Sequence, residues 1–432
     1  WLRQRVLEVP TKASMRFIGA SALCIGVVFV AHGVAESSDA GDEVCTADGS
    51  CLGGATQAWQ VVQAHDARGR RMTPEDLEVR WMDRPGPLND GETRLRPAFI
   101  SPDPYMRGQA SNANLGKTFF GYQVAEVVES RSADYIVGNF VHCRGPWQQE
   151  YVQTASALPE GYLVPRTDAA PKTSPTVPIS AYIGVLGMPG KTAFGGVLRI
   201  GDLRGDGSSG ALRGATVLVS GAAGMVGSAV GQMARALGAG FVIGTAGSQA
   251  KIQHLLDMGF DAAISYKEKT TASDMEAAMR DSLIDAGRSP HIDFYFDNTG
   301  GHVTAAAWPL LRDGARVAVC GGIVHYESGG WDVGRWAFLN GVPTSGFPRP
   351  TKIGDPVVAN DAGRSITVES FIWNELQRRK PYLEEFFTKA HEWIAEGKLN
   401  VIETVMDGYQ RIPEAFVGLF SGVNVGKMIV RV

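Results

Sequence analysis

The spacing of apolar residues changes character near Gly187. From about Trp59 to Ile183 they come in short runs broken by turn residues, as in "TRLRPAFIS", "YQVAEVVES", "NFVHCRG" and "QEYVQTA", a texture that predicts the strands of a compact β-rich domain. Beyond Gly187, β-branched runs alternate with helical patterns: "ATVLVSG" with "MVGSAVGQMARALG", "GFVIGTA" with "AKIQHLLDMG", "IDFYFDN" with "VTAAAWPLL", and then "ARVAVCGG". Such alternation predicts βαβ units with right-handed crossovers and a doubly wound parallel sheet. The closing "NVGKMIVRV" returns to strand character. The fold class is α/β, with a β-rich domain over 58–186, an α/β domain over 187–397, and a return to the first domain over 398–432.

Ahead of these domains, Met15 and Arg16 precede a nearly uncharged run from Phe17 to Ala31 and then "HGVAES", whose Gly33 and Ala35 fit the small-residue rule for signal cleavage. At about fifteen residues the run is short for a membrane span, which needs roughly twenty. Residues 1–35 read as a cleaved signal peptide, with Met15 a possible start because residue 1 is Trp. An uncleaved anchor and a mitochondrial presequence are the other readings, the latter opposed by the acidic "ESSDAGDE". Residues 36–57 lack periodicity and read as a disordered linker, in which Cys45 and Cys51 can close a small disulfide loop. The expected location is the secretory pathway, lumenal or secreted, and the cytoplasm if the leader does not function. Cys143 and Cys320 sit among apolar neighbours and read as buried thiols.

Charge narrows the ligand. Forty-one basic against 45 acidic residues, a net of -4, leave no electrostatic footprint for nucleic acid. A small-molecule partner is the default. The clearest site for one is the turn Ala222-Ala223-Gly224-Met225-Val226-Gly227, an A-x-G-x-x-G variant of the dinucleotide fingerprint that follows a strand pattern and opens a helix pattern. Gly224 lets the backbone approach a pyrophosphate, Gly227 lets the helix pack closely, and the helix N-terminus favours the phosphate charge. The next strand pattern ends in "VIGTAGSQAK" without the carboxylate that usually binds an NAD ribose. A 2'-phosphate is therefore tolerated, with Lys251 to neutralise it and Ser248 and Tyr266 as donors. Taken alone, Lys251 also reads as a solvated helix residue and Tyr266 as half-buried packing.

The segments "SPDPYMRG", "GVLGMPGKTAFGGVLRIG", "SGAAGMVGSAVGQMARALG", "IDFYFDNTGG", "VAVCGGIVHYE" and "AFVGLFSGVNVGKMIVRV" resemble, in order, the zinc-independent medium-chain reductases, closest to the prostaglandin reductase, alkenal double-bond reductase and curcumin reductase branch. The resemblance covers about Trp59 to Val432. It implies a GroES-like β-rich catalytic domain with a Rossmann domain inserted, and NADPH-dependent reduction of the carbon–carbon double bond of enals and enones. It assigns Lys251, Tyr266 and Asn424 to the cofactor's phosphates and nicotinamide end, and Met188, Thr192 and Asn298 to the cofactor cleft. Tyr326 it sets beside nicotinamide and substrate, and Tyr105 at the substrate mouth. It also implies a homodimer formed through the edge of the Rossmann sheet.

Hydride addition to the β-carbon of such a substrate sends charge to the carbonyl oxygen as an enolate, which the nicotinamide ribose 2'-hydroxyl assisted by Tyr326 is expected to stabilise. The α-carbon proton comes from solvent or from Tyr326, and His325 reads either as a proton relay or as an ordinary packed histidine. A quinone oxidoreductase or allylic alcohol dehydrogenase on the same fold, and a non-catalytic NADPH-binding protein, are the alternative functions. After Tyr326 the stretch Ser328 to Trp373 is longer and richer in Gly and Pro than the family pattern, which bears on substrate identity more than on reaction type. Zinc enzymes of the wider superfamily carry a Cys and Gly-His-Glu ligand set where this chain reads "FFGYQVAEVV". Activity is therefore expected to survive exhaustive chelation, and elemental analysis of the active protein to find no stoichiometric metal. Loss of turnover restored by zinc alone overturns this.

Overall fold

The computed structural model describes residues 56–154, 162–164, 177–203, 212–327, 336–342 and 353–432, with the backbone of 44–45 and 51–52. The expected leader and nearly all of the linker lie outside these residues. Before Thr56 only β1 (Val44–Cys45) and β2 (Cys51–Leu52) are described, an antiparallel pair whose register sets Cys45 opposite Cys51.

The β-rich domain opens with a ribbon of β3 (Gln57–Gln63) and β4 (Leu77–Asp83). It continues through β5 (Glu92–Ile100), β6 (Phe120–Ser130), β7 (Phe140–Pro146), β8 (Tyr151–Thr154) and β9 (Tyr162–Val164). Pro97 offers β6 no N–H, and the pairing of β5 with β6 shifts register between Pro97 and Phe99.

The chain then enters the second domain through α1 (Met188–Gly195). β10 (Thr216–Val219), α2 (Met225–Ala236), β11 (Phe241–Ala246), α3 (Gln249–Asp257), β12 (Ala262–Ser265), α4 (Ala272–Asp285), β13 (Ile292–Asp297), α5 (His302–Ala307) and β14 (Leu311–Val319) follow in strict alternation. Two short helices, α6 (Ile323–Tyr326) and α7 (Trp336–Leu339), precede the hairpin of β15 (Val357–Asp361) and β16 (Arg364–Ser370). The sheet order is β12-β11-β10-β13-β14-β16-β15, with only β15 antiparallel. β10 and β11 are buried along their whole length, as their continuous apolar sequence requires when helices cover both faces. Strands are added first toward β12 and then, from β13, toward the other side, so the order reverses between β10 and β13. A crevice opens at the carboxyl ends of strands at such a switch point.

After α8 (Trp373–Arg379), α9 (Leu383–Ala395) buries Phe386, Ala390 and Trp393, one face at helical spacing, and the Phe386 and Trp393 rings meet that of Phe194 in α1. The chain then rejoins the first domain. β17 (Glu403–Asp407) and β18 (Lys427–Arg431), separated by α10 (Ile412–Ser421), complete a sheet of order β17-β18-β5-β6-β7-β9, with β8 beside β5. One apolar core runs from Val124 and Ile429 in this sheet to Val217, Ala222 and Phe296 in the other domain. A second core joins α10 to the β-rich domain, where Phe416 meets Phe119 at 5.5 Å and Trp147 at 5.8 Å, all three side chains being fully buried. Phe416→Ala is expected to cost about 3–5 kcal/mol through lost burial and a residual cavity. A lower denaturant midpoint at unchanged slope is the readout.

Candidate active site

The cleft is built outward from the end of β10. Gly221 turns the chain with a φ of +58°, in the left-handed region. A Cβ on Gly227 would fall 2.5 Å from the Gly221 carbonyl oxygen and 2.7 Å from the Ala222 Cα, so glycine here lets α2 close on the turn. At Gly224, which caps α2, a Cβ would meet only the Gly221 carbonyl oxygen, at 3.5 Å. Packing within the protein does not demand glycine there, and Gly224 lines a cavity of about 910 Å³. Met225, Val226 and Gly227 line it too, whereas Ala222 is buried behind the turn.

At one end of this cavity stand Lys251, Tyr266 and Lys267. Lys251 Nζ donates to the Gly422 carbonyl oxygen at 2.8 Å, and burial, with repulsion from Lys267, holds its pKa below the usual lysine value. Burial raises the Tyr266 phenol pKa, and its hydroxyl lies over Gly247, where a Cβ would come within 2.5 Å of it. Two ammonium groups that disfavour each other's charge are relieved by an anion between them. Ser248 is placed differently. It is exposed, its hydroxyl accepts the Lys251 backbone N–H as the N-cap of α3, and it does not line the cavity.

The middle of the cavity receives Met188, Thr192, Asn298, Tyr326 and Asn424. Thr192 Oγ1 donates to the Met188 carbonyl oxygen at 2.9 Å, within the first turn of α1. Asn298 is held at the end of β10, its N–H donating to Ser220 Oγ and its Nδ2 to the Ser220 carbonyl oxygen, each at 2.8 Å. Asn424 Nδ2 donates to the Gly426 carbonyl oxygen at 2.7 Å. Burial, reinforced by Cys320 and Asp297 against one Gly322 backbone hydrogen bond, pushes the Tyr326 phenol up to about 12. Cys320, half-buried on the same wall, is likewise pushed up to about 12 by burial and by Asp297, and Cys143 is fully buried beside Tyr151. His325 Nε2 meets Asn340 Oδ1 at 3.0 Å. Tyr105, 41% exposed, stands at the rim on the β-domain side.

Several residues that shape the cleft escape a reading of the chain alone. Lys267 follows Tyr266 directly, so an anion site written as "YK" was the available signal. Asp297 ends an apolar strand with an acid, and that acid proves fully buried and multiply bonded. Lys427 donates to Asp103 Oδ1 at 3.0 Å and to the Pro102 carbonyl oxygen at 2.8 Å, both partners being more than 300 positions away in sequence. Among the described residues no group of three or more His, Cys, Asp or Glu side chains is placed to hold a metal ion.

Residues 62–160 match the family model of the N-terminal domain of oxidoreductase, and residues 225–343 that of the zinc-binding dehydrogenase. Prostaglandin reductase 1 of Mus musculus is 33% identical over 359 residues, covering 83% of this chain and 94% of that protein. The NADPH-dependent curcumin reductase of Escherichia coli is 30% identical over 367 residues, 83% of this chain and 92% of that one. The crystal structure of CurA from Vibrio vulnificus in complex with NADPH is 31% identical and gives a TM-score of 0.68, covering 86% of this chain and 98% of that chain. Likeness of this extent, through both domains and across the cleft between them, means that the chain belongs to the zinc-independent medium-chain reductases, the family of the prostaglandin and curcumin reductases.

Proposed function

We propose that the protein is an NADPH-dependent reductase of the carbon–carbon double bond of α,β-unsaturated aldehydes and ketones. The observation that carries this reading is a single cavity onto which the glycine turn, the Lys251 and Lys267 ammonium groups and the Tyr326 phenol all open. The cleft suits the cofactor on its own terms. The space beside Gly224 accepts a pyrophosphate against the start of α2, the two lysines with Tyr266 suit a 2'-phosphate, and Thr192, Asn298 and Asn424 offer polar groups further along. NADPH, when bound, supplies the hydride that adds to the β-carbon.

The chain's own contribution is electrostatic. With a pKa pushed up to about 12, Tyr326 stays a neutral phenol across the physiological range, so it donates a hydrogen bond to the carbonyl oxygen where charge develops. The same shift makes it a poor acid, which leaves solvent as the source of the α-carbon proton. Tyr105 and the apolar rings of the β-domain wall hold the substrate body. A homodimer formed through the open side of β15, which pairs only with β16 among the described residues, is part of the proposal. So is secretory targeting by the leader.

NADPH oxidation by the purified protein on 2-alkenals, enones and quinones, scored by product, tests the reaction. Saturated carbonyl products support it, whereas hydroquinones alone or allylic alcohol chemistry favour the alternatives. Lys251→Ala removes a charge-assisted contact worth on the order of 1.5–3 kcal/mol, so NADPH is expected to bind about 10- to 100-fold more weakly while NADH changes little. Equal losses for both show that Lys251 does not read the phosphate. Tyr326→Phe is expected to lower kcat on the order of 100-fold with a smaller change in KM. Because a phenol with a raised pKa ionises only in strong alkali, the wild-type pH–rate profile should show no tyrosine limb near pH 10.

A further inference from the structure

Tyr326 closes α6, a helix of four residues, and a helix so short does not hold itself in place. Its start hangs from the cofactor domain, where the Ile323 N–H donates to the Asn298 carbonyl oxygen at 3.4 Å and the Val324 N–H to that of Thr299 at 3.3 Å. Both bonds are long, and both precede the tyrosine in the chain. The residue after it is tied to the other domain. Glu327 accepts the backbone N–H of Met72 on Oε1 at 3.2 Å, across 255 positions of sequence. Glu327 lines the cavity, as do Arg71 and Tyr105 of the β-rich domain.

The β-domain end of this tie is rigid. Met72 is buried in the core that also holds Phe119, Trp147 and Phe416. The Asp76 carboxylate braces the segment around it, accepting from Arg70 Nη1 and from the Thr73 N–H, each at 2.9 Å. Arg107, 6% exposed, donates from Nη2 to the carbonyl oxygens of Ala67 and Arg70, while its buried Nε meets no acceptor among the described residues. Burial lowers the Arg107 pKa and the Glu327 charge opposes that shift, so the carboxylate also acts on this guanidinium. A carboxylate suits the place because it accepts from a backbone N–H while its charge offsets that of a buried cation. Arg107 belongs to the 3-10 helix Pro104–Gln109, which carries Tyr105. The loop from Ala67 to Met72 is thus bound on one side to the element that bears Tyr105 and on the other to the residue beside Tyr326.

We propose that Glu327 is a positioning residue for the reaction. By latching the end of α6 to the loop from Ala67 to Met72, it fixes how far the Tyr326 phenol stands from a carbonyl that enters past Tyr105. This role rests on Tyr326 acting as the donor, as in the reductase reading, and Glu327 acts only through it. A misplacement of about 1 Å can cost on the order of 100-fold in rate, so a single tie at the end of a four-residue helix has leverage on turnover.

Glu327→Ala is expected to lower kcat about tenfold with little change in NADPH affinity, and Glu327→Gln, which keeps an acceptor oxygen, to recover most of that loss. In a Tyr326→Phe background the same Glu327→Ala change should lower kcat by little, because the group it positions is gone. A residue that serves stability alone lowers kcat by the same factor in both backgrounds. Hydrogen exchange on the full chain reads the latch itself. The Met72 amide should exchange about tenfold faster in Glu327→Ala, while the Ala64 amide, which donates to the Asp76 carbonyl oxygen, keeps its rate and shows the loop's own scaffold intact. Equal losses of kcat in the two backgrounds, an unchanged kcat in Glu327→Ala, or a Met72 amide that speeds up no more than that of Ala64 overturns the proposal. If no enone is reduced, or if Tyr326→Phe alone leaves kcat unaltered, the reductase reading or the donor role of Tyr326 fails, and the Met72 exchange still decides for or against the latch.

Discussion

The Asp297 carboxylate, fully buried at the end of β13, gathers hydrogen bonds from the hydroxyls of Ser220, Tyr295 and Thr304, the indole N–H of Trp336, and the backbone N–H groups of Thr299 and Gly300. A buried carboxylate is tolerable only when its lone pairs are met, and meeting them here draws together the ends of β10 and β13, the turn between β13 and α5, α5 itself and α7. The Asp297 carbonyl oxygen adds the N–H groups of Cys320 and Gly321, so the loop that leads to Tyr326 hangs from the same residue. A change at this one acid would therefore reach the glycine turn, the Asn298 shelf and the tyrosine together.

The two walls of the cleft are joined by a short strap. Gly426 donates its N–H to the Ala223 carbonyl oxygen at 2.8 Å, on the glycine turn, and adopts a φ of +65° in a space where a Cβ would lie 2.2 Å from the Ile402 carbonyl oxygen. The next residue, Lys427, pins the loop that carries Tyr105 through Pro102 and Asp103. Removing one partner of such a buried pair strands the other charge, at a cost of about 3–5 kcal/mol. Cofactor turn and substrate mouth are thus held in one frame by adjacent residues of the returning chain.

Burial also sets the chemical character of the site. Cys320 and Tyr326 both face the cavity, and desolvation keeps both protonated at neutral pH. A thiol kept from ionising is a weak nucleophile toward an electrophilic enal, while a neutral phenol remains a hydrogen-bond donor. At the opposite end the Lys251 and Lys267 ammonium groups meet no carboxylate among the described residues, and the two repel each other.

Much of this was legible in the chain itself, because local signals carry it. The alternation of β-branched runs with amphipathic helices announces parallel βαβ units, and a strand, glycine knot and helix in succession mark the dinucleotide turn wherever they occur. The residues assigned to the cleft by family resemblance do line one cavity, whereas of those read from the fingerprint and the strand end Ala222 packs behind the turn and Ser248 has its hydroxyl claimed by the backbone of α3 as a cap. What the sequence alone left undecided depends on partners distant in the chain. Lys427 is an ordinary strand lysine until β18 is laid beside β5 and brings it to Asp103, and Arg144, which stays exposed, gains its two aromatic neighbours only through the β6–β7 register that sets it over Phe120 and Tyr122. Local pattern decides which elements form. Only the packing of those elements decides which charges meet a partner and which are left for a ligand.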